Sequence, residues 1–243
     1  MLTIGRAAKI LGVSIQTLRR WDNAGKLASV ERKGAGHRHY RQSDLENYIR
    51  DNIGSLDLFK IASNWAADSK ETEPFSDFYC PDISVFQARL TRLESELGKI
   101  QNVRKIFPLI SAITGEIGNN SFDHNLGNWP DIRGAFFAYD LKKGKIVLAD
   151  RGQGILATLK KVKPQLATHS DALHTAFTEI ISGRAPEYRG NGLKFVRDVV
   201  AKNEINLLFQ TGDARLAISK KSSDIDIRKA KRYIRGCLAL LTF

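Results

Sequence analysis

Cysteine is scarce in this chain of 243 residues: Cys80 and Cys237 are the only two. Two thiols so far apart make neither a disulfide framework nor a zinc-ligand spacing, so a reducing, cytoplasmic compartment is expected. Long apolar runs are missing too. None reaches the ~18–20 residues that cross a bilayer. Met1 to Gly12 carries two basic residues without the apolar stretch and small-residue cleavage site of a secretory leader. No membrane partner is expected. There is no G-x-x-x-x-G-K-S/T, which excludes a P-loop. What is present, 42% apolar and 26% charged residues, suits a chain that buries a core and excludes a mainly disordered one. The length fits one large domain or two small ones.

Charge is of one sign in excess and unevenly spread. Lys and Arg number 38 against 26 Asp and Glu, a formal +12. Residues 1–50 are net +6, residues 51–100 net −4 and the remainder net +10. Two basic regions flanking an acidic middle point to a polyanionic partner, a nucleic acid or a nucleotide phosphate.

The first fifty residues read as one unit. Thr3 caps a helix from Ile4 to Leu11, Gly12 breaks it, and Ser14 caps a second helix that runs to about Ala24 and ends at Gly25. The Leu11–Ser14 turn has helix-turn-helix length. A strand-like Leu27–Arg32, a glycine-containing turn and His37–Arg41 make a small wing. Ser43 with Glu46 makes a capping box for a third helix. An α-helix fits the major groove of double-stranded DNA. On the second helix Gln16, Thr17, Arg19 and Arg20 are placed to read it, and on the wing Arg38, His39, Tyr40 and Arg41 to clamp the backbone. The run Thr3 to Ser14, then Thr17-Leu18-Arg19-Arg20-Trp21, Gly25-Lys26-Leu27 and Gly36-His37-Arg38-His39-Tyr40 resembles a MerR-type winged helix-turn-helix over residues 2–50. That resemblance implies binding to double-stranded DNA, usually as a homodimer.

Residues 51–105 read as a helical linker, with a polar stretch at 68–74. Phe86, Leu90, Leu93, Leu97 and Ile100 recur at steps of 4, 3, 4 and 3, a short heptad seam on a helix over 84–104. Two uses are open for it: a dimer interface, or packing of one amphipathic helix on its own domain.

From residue 106 the pattern is mixed. A helix to about Asn125 is followed by a hairpin at 135–149, a mostly helical stretch to residue 182, a helix from Leu193, and strands at Ile205–Gln210, Arg215–Ser219 and Ile234–Phe243. Glu116, Asn120 and, nearly, Asp123 share one face of the first helix. An asparagine carbonyl is a hard oxygen ligand for Mg²⁺, a glutamate one turn away can activate water, and His124 stands at the helix end, near enough to meet a phosphate. After a strand comes Asp150-Arg151-Gly152-Gln153-Gly154-Ile155, whose aspartate can accept the exocyclic amine of adenine. Gly190-Asn191-Gly192-Leu193 opens a helix whose free N–H groups suit phosphate oxygens. Arg228–Arg235 holds five basic residues in eight and reads as a solvated loop or as a further phosphate-contacting patch.

In this order, E-x-x-x-N, D-x-G-x-G-I and G-x-G-L resemble the Bergerat fold of the GHKL ATPases over about 106–243. The resemblance implies ATP and Mg²⁺ as cofactors. It gives Asn120 the metal, Glu116 the water and Asp150 the adenine. Gly152 and Gly154 shape the base pocket, residues 156–189 form a lid, and Gly190, Gly192 and Leu193 close on the phosphates. Thr211 supports Asp150 through water. The expected fold class is α+β: a winged helix-turn-helix, a helical linker, and an α/β sandwich with a mixed sheet and helices on one face. The expected function is a DNA-binding regulator modulated by Mg-ATP. A serine protein kinase of the anti-sigma type with a protein partner, or a DNA-stimulated ATPase of a mobile-element or defence system, stays open. A self-phosphorylating histidine kinase is disfavoured, since 84–110 contains no histidine.

Overall fold

The computed structural model describes residues 1–33, 37–70, 72–180 and 192–243. Gly190, assigned above to phosphate contact, falls outside them. The chain divides into two compact units, Met1–Trp65 and Ala66–Phe243. The first therefore extends beyond residue 50, and the helices expected as a linker belong to the units on either side.

In the first unit a short strand β1 (Leu2–Thr3) leads into α1 (Ile4–Ile10) and α2 (Ile15–Asn23), each started by a hydroxyl. Thr3 Oγ accepts the Arg6 N–H at 3.4 Å and Ser14 Oγ accepts the Thr17 N–H at 3.0 Å. Each cap accepts from an orphan N–H donor that the helix cannot satisfy itself, worth about 1 kcal/mol. The wing is β2 (Glu31–Lys33) and β3 (His37–Tyr40), in the antiparallel order β1-β3-β2. The strand expected at 27–32 is shorter because Trp21 O takes the N–H groups of Lys26 and Leu27 and Asp22 takes that of Ser29. Helix α3 (Gln42–Asn52) starts with Arg41 at its cap and no side-chain bond there. The expected Ser43–Glu46 capping box does not form, since Gln42 Nε2 donates to Glu46 Oε1 at 3.0 Å. Helix α4 (Leu58–Ala66) completes the unit, with Asn64 Nδ2 donating to Lys9 O at 3.0 Å. Leu11, Leu18, Leu45 and Ile49 are wholly buried, each contributing roughly 1.5–3 kcal/mol.

The second unit opens with an irregular stretch and a two-residue strand β4 (Tyr79–Cys80), then α5 (Ile83–Leu97) and α6 (Phe107–Asp123). A hairpin follows, β5 (Ala135–Asp140) and β6 (Lys145–Asp150), then α7 (Gly154–Lys160), α8 (His169–Thr178) and α9 (Gly192–Lys202). Two long strands close the chain, β7 (Asn206–Ile218) and β8 (Asp226–Thr242), in place of three short ones. The order is β4-β5-β6-β8-β7 with every neighbour antiparallel, so the sheet is not mixed. One face carries the aligned rows Phe137-Leu148-Ala239-Phe209 and Tyr139-Ile146-Leu241-Leu207. Helices α5 to α9 contribute to the same buried cluster as these rows and cover that face.

The heptad seam lies inside this cluster. Phe86, Leu93 and Leu97 are wholly buried. The Phe86 ring sits 2.0 Å from where a Cβ on Gly118 would stand, so α5 lies tight against α6. The seam is core, and its side chains are not available as a dimer interface. The described part of the expected lid contributes to the same core through Leu159, Leu166, Leu173 and Phe177, which are buried. No helix among the described residues is long and apolar enough to cross a membrane.

Candidate functional site

In the head, α2 presents Gln16, Arg19 and Arg20 to solvent, while Leu18 on its opposite side is buried. Thr17 is half-buried and its hydroxyl lies 2.9 Å from that of Ser14. Arg38 turns inward. Its guanidinium bonds the Asp22 carboxylate and, at 2.9 Å, Asn23 Oδ1. Burial pushes the Asp22 carboxyl up, but the Ser29 N–H, Arg38 and the Ser29 hydroxyl together hold it below the ordinary carboxylate range. Arg38 is thus the tie between wing and α2. Tyr40 is wholly buried, and its hydroxyl has no partner among the described residues.

In the second unit a cleft of about 790 Å³, open mouth included, lies between α6, the start of α7, α8, the first turn of α9 and strands β6 to β8. Its apolar wall includes Ile117, Ile155, Leu159, Leu193 and Phe209, and its polar groups include Glu116, Asn120, Ser121, His124 and Asp150. Asn120 Nδ2 donates to Glu116 Oε1 at 3.3 Å. Asp150 is 2% exposed. Its carboxylate accepts from Ser121 Oγ at 2.9 Å and from the Gly152 N–H at 2.8 Å. Burial pushes its pKa up to about 6 against these bonds and one from the Cys237 N–H.

The loop after Asp150 is held from three sides. Asn125 Oδ1 accepts the Gln153 N–H at 2.8 Å, and Thr211 Oγ accepts the Ile155 N–H at 3.3 Å while donating to Gly236 O at 2.9 Å. Arg151, with no exposed side-chain surface, makes a two-pronged pair with Asp131, which Arg235 also binds. Burial pushes the Asp131 carboxyl up, yet the two guanidiniums and the Ile132 N–H keep it low. Removing one partner from so buried a pair costs about 3–5 kcal/mol. The strand beside it must come very close. A Cβ on Gly236 would stand 2.2 Å from Asp150 Oδ1, and its φ of +62° is left-handed.

The MerR family regulatory protein profile matches residues 3–40. The head is a MerR-type helix-turn-helix. It is a DNA-binding domain. Within this MerR-type head, Gln16, Arg19, Arg20 and Arg41 are exposed as the sequence leads one to expect. Tyr40 and Arg38 are not placed to clamp DNA, because one is in the core and the other is consumed by Asp22. His39 is half-buried, and its Nδ1 is buried without a partner. The type II methyltransferase M.Eco47II of Escherichia coli is 40% identical over 68 residues, which are 28% of this chain and 15% of that protein. The chain thus spans only a small fraction of that relative's length.

Of the cleft residues expected from sequence, Glu116, Asn120, His124, Asp150, Gly154, Ile155, Gly192 and Leu193 come together. A Cβ on Gly192 would stand 1.8 Å from Glu116 Oε1, so the start of α9 reaches the glutamate only as glycine. Asp123 is exposed and off the stripe, because the lining positions of α6 are 116, 117, 120, 121 and 124. Gly152 does not line the cleft. Asn125 lies against it, 2.0 Å from where a Cβ would be. Thr211 is wholly buried, and its hydroxyl accepts the Ile155 N–H and donates to Gly236 O. The sequence reading missed Ser121, Asn125 and Gly236. Ser121 carried a signal, being four residues beyond Ile117 on the stripe of α6 that lines the cleft. The other two act across long separations.

Proposed function

We propose that this protein is a DNA-binding regulator whose second unit binds Mg-ATP in the α6–α9 cleft and thereby modulates the MerR-type head. One observation carries the reading: three stretches far apart in the chain, around Glu116–Asn120, Asp150–Ile155 and Gly192–Leu193, line a single cleft. Their order also resembles that of the GHKL ATPases. Asp150, buried and braced by Ser121, offers the carboxylate that accepts an exocyclic purine amine, and the apolar wall holds the base. Asn120 turns its amide nitrogen to Glu116, which leaves its carbonyl oxygen as the acceptor for a hard cation. Among the described residues no group of three or more His, Cys, Asp or Glu side chains is placed to hold a metal. An ion held by Asn120 therefore draws its other ligands from phosphate and water, as Mg²⁺ does. When bound, Mg²⁺ supplies charge neutralisation on the phosphates. Glu116 would orient water, and the start of α9 would present backbone N–H groups to phosphate oxygens.

The test is equilibrium binding of ATP, ADP and GTP to the full chain, followed by DNA affinity with and without Mg-ATP. The reading expects ATP to be preferred over GTP and DNA affinity to shift by about 1–3 kcal/mol on Mg-ATP addition. Equal affinity for the two triphosphates would remove the role of Asp150. Unchanged DNA affinity would remove the coupling.

A further inference from the structure

We propose that the outer half of the β7–β8 ribbon is a second contact surface for the phosphate backbone of double-stranded DNA, distinct from the MerR-type head. Strand β6 pairs with β8 only between Leu238 and Thr242, so beyond that point β7 and β8 continue as a two-stranded ribbon. Its cations are concentrated on β8. Between Asp226 and Arg235 stand Arg228, Lys229, Lys231, Arg232 and Arg235 against one acid. Arg228 is paired with that acid, Asp226, at 2.8 Å, and Arg235 with Asp131. Lys229 and Lys231 hold no ion pair among the described residues.

Two further features are unfavourable for the protein alone. Gly212 pairs with Ile234 and Ala214 with Lys229, so a single residue of β7, Asp213, stands opposite four of β8, Ala230 to Tyr233. The four are thrown out of the ladder as a wide bulge, and bulges of this kind re-aim side chains. Lys231, Arg232 and Tyr233 are exposed on it, the tyrosine by 59%. In addition, Arg215 of β7 is directly opposite Arg228 of β8. Like charges in that position destabilise a strand pair, and a polyanion laid across the ribbon relieves the repulsion. A tyrosine among cations suits contact with sugar and phosphate, where its ring packs and its hydroxyl donates.

DNA is favoured over an anionic membrane for two reasons. The bulge carries one exposed aromatic and no cluster of apolar anchors. The chain also already holds a DNA-binding domain, so a second cationic surface acts on the same polymer at high effective concentration. The inference does not depend on the nucleotide reading of the cleft.

The test uses the full chain and a 40-base-pair mixed-sequence duplex, with affinity measured across a salt series. In Lys229→Ala/Lys231→Ala, the log–log salt slope becomes shallower by about 1.8, the value for two lost phosphate contacts. Scaled from 1 M to 0.15 M salt, that slope change lowers affinity on the order of thirtyfold. Lys229→Arg/Lys231→Arg keeps the slope, which separates charge from any effect on folding. Arg19→Ala/Arg20→Ala lowers the slope further in either background, so failure of the head and failure of the ribbon read differently. A wild-type slope in the Lys→Ala variant overturns the proposal. So does loss of binding to phosphatidylserine vesicles with DNA binding intact, which assigns the surface to membranes.

Discussion

The two units handle charge in opposite ways. The head turns Gln16, Arg19 and Arg20 outward from a helix whose other side is buried, so its exposed polar row is made by neighbours in sequence. The second unit takes Asp150, Arg151 and Asp131 out of water and satisfies them with partners from distant strands and loops. An exposed polar row tolerates substitutions because water replaces what is lost. A concave site built on buried polar groups does not, since each unpartnered group there carries its full desolvation cost.

Substitutions should separate the two units along those lines. The largest effect is expected at the α5 seam. Leu93→Ala should cost about 2–5 kcal/mol, and its melting temperature should not depend on protein concentration, because Leu93 is buried in its own chain. A concentration-dependent loss would return the seam to a dimer interface. Gly236→Ala comes next. Its Cβ meets the Asp150 carboxylate and backbone, and the left-handed φ adds about 1–2 kcal/mol to an overpacking cost of about 1–3 kcal/mol. Thermal unfolding of the full chain should show it, with nucleotide binding lost alongside.

In the head, Arg20→Ala should weaken DNA binding by about 1–3 kcal/mol if the residue reads a base and change the salt slope by about 1 if it meets a phosphate. The variant should leave the melting temperature unchanged. The pH dependence sharpens the contrast further. Asp150 has its folded pKa raised from 3.8 to about 6, so the folded state holds an extra proton between those values. Its contribution to stability is full below pH 4 and is lost as pH rises through about 6. The proposed recognition of adenine would run the other way, because it needs the carboxylate. ATP affinity should fall as pH drops below about 6, by up to about tenfold per unit, and Asp150→Asn should flatten the profile. The smallest effect is expected for Tyr40→Phe. Its hydroxyl is buried without a partner among the described residues, so DNA affinity should stay unchanged and stability should move by no more than about 1–2 kcal/mol, toward greater stability.

What the sequence made legible was local. Thr3 and Ser14 cap helices three residues away, and the stripe through Glu116 and Asn120 follows from helical period alone. The heptad spacing at 86–100 was ambiguous by its nature, since a coiled-coil seam and a core-facing helix repeat at nearly the same interval. Only Gly115 and Gly118 on α6, small enough to admit Leu90 and Phe86, decide between them. The basic run at 228–235 hid its strand because two irregularities in the β7–β8 register destroy the alternation that marks one. Asp150 was readable as an acceptor. That Ser121 and Gly236 shape its surroundings was not, because both reach it from segments remote in the chain.

Strand β8 joins features that are otherwise treated apart. Tyr233 leaves the sheet at one bulge, and two and three residues later Arg235 anchors Asp131 and Gly236 presses on Asp150. Three peptide bonds are too short and too stiff to absorb much displacement. The outer ribbon and the wall of the cleft are therefore joined along β8 by a few residues of chain.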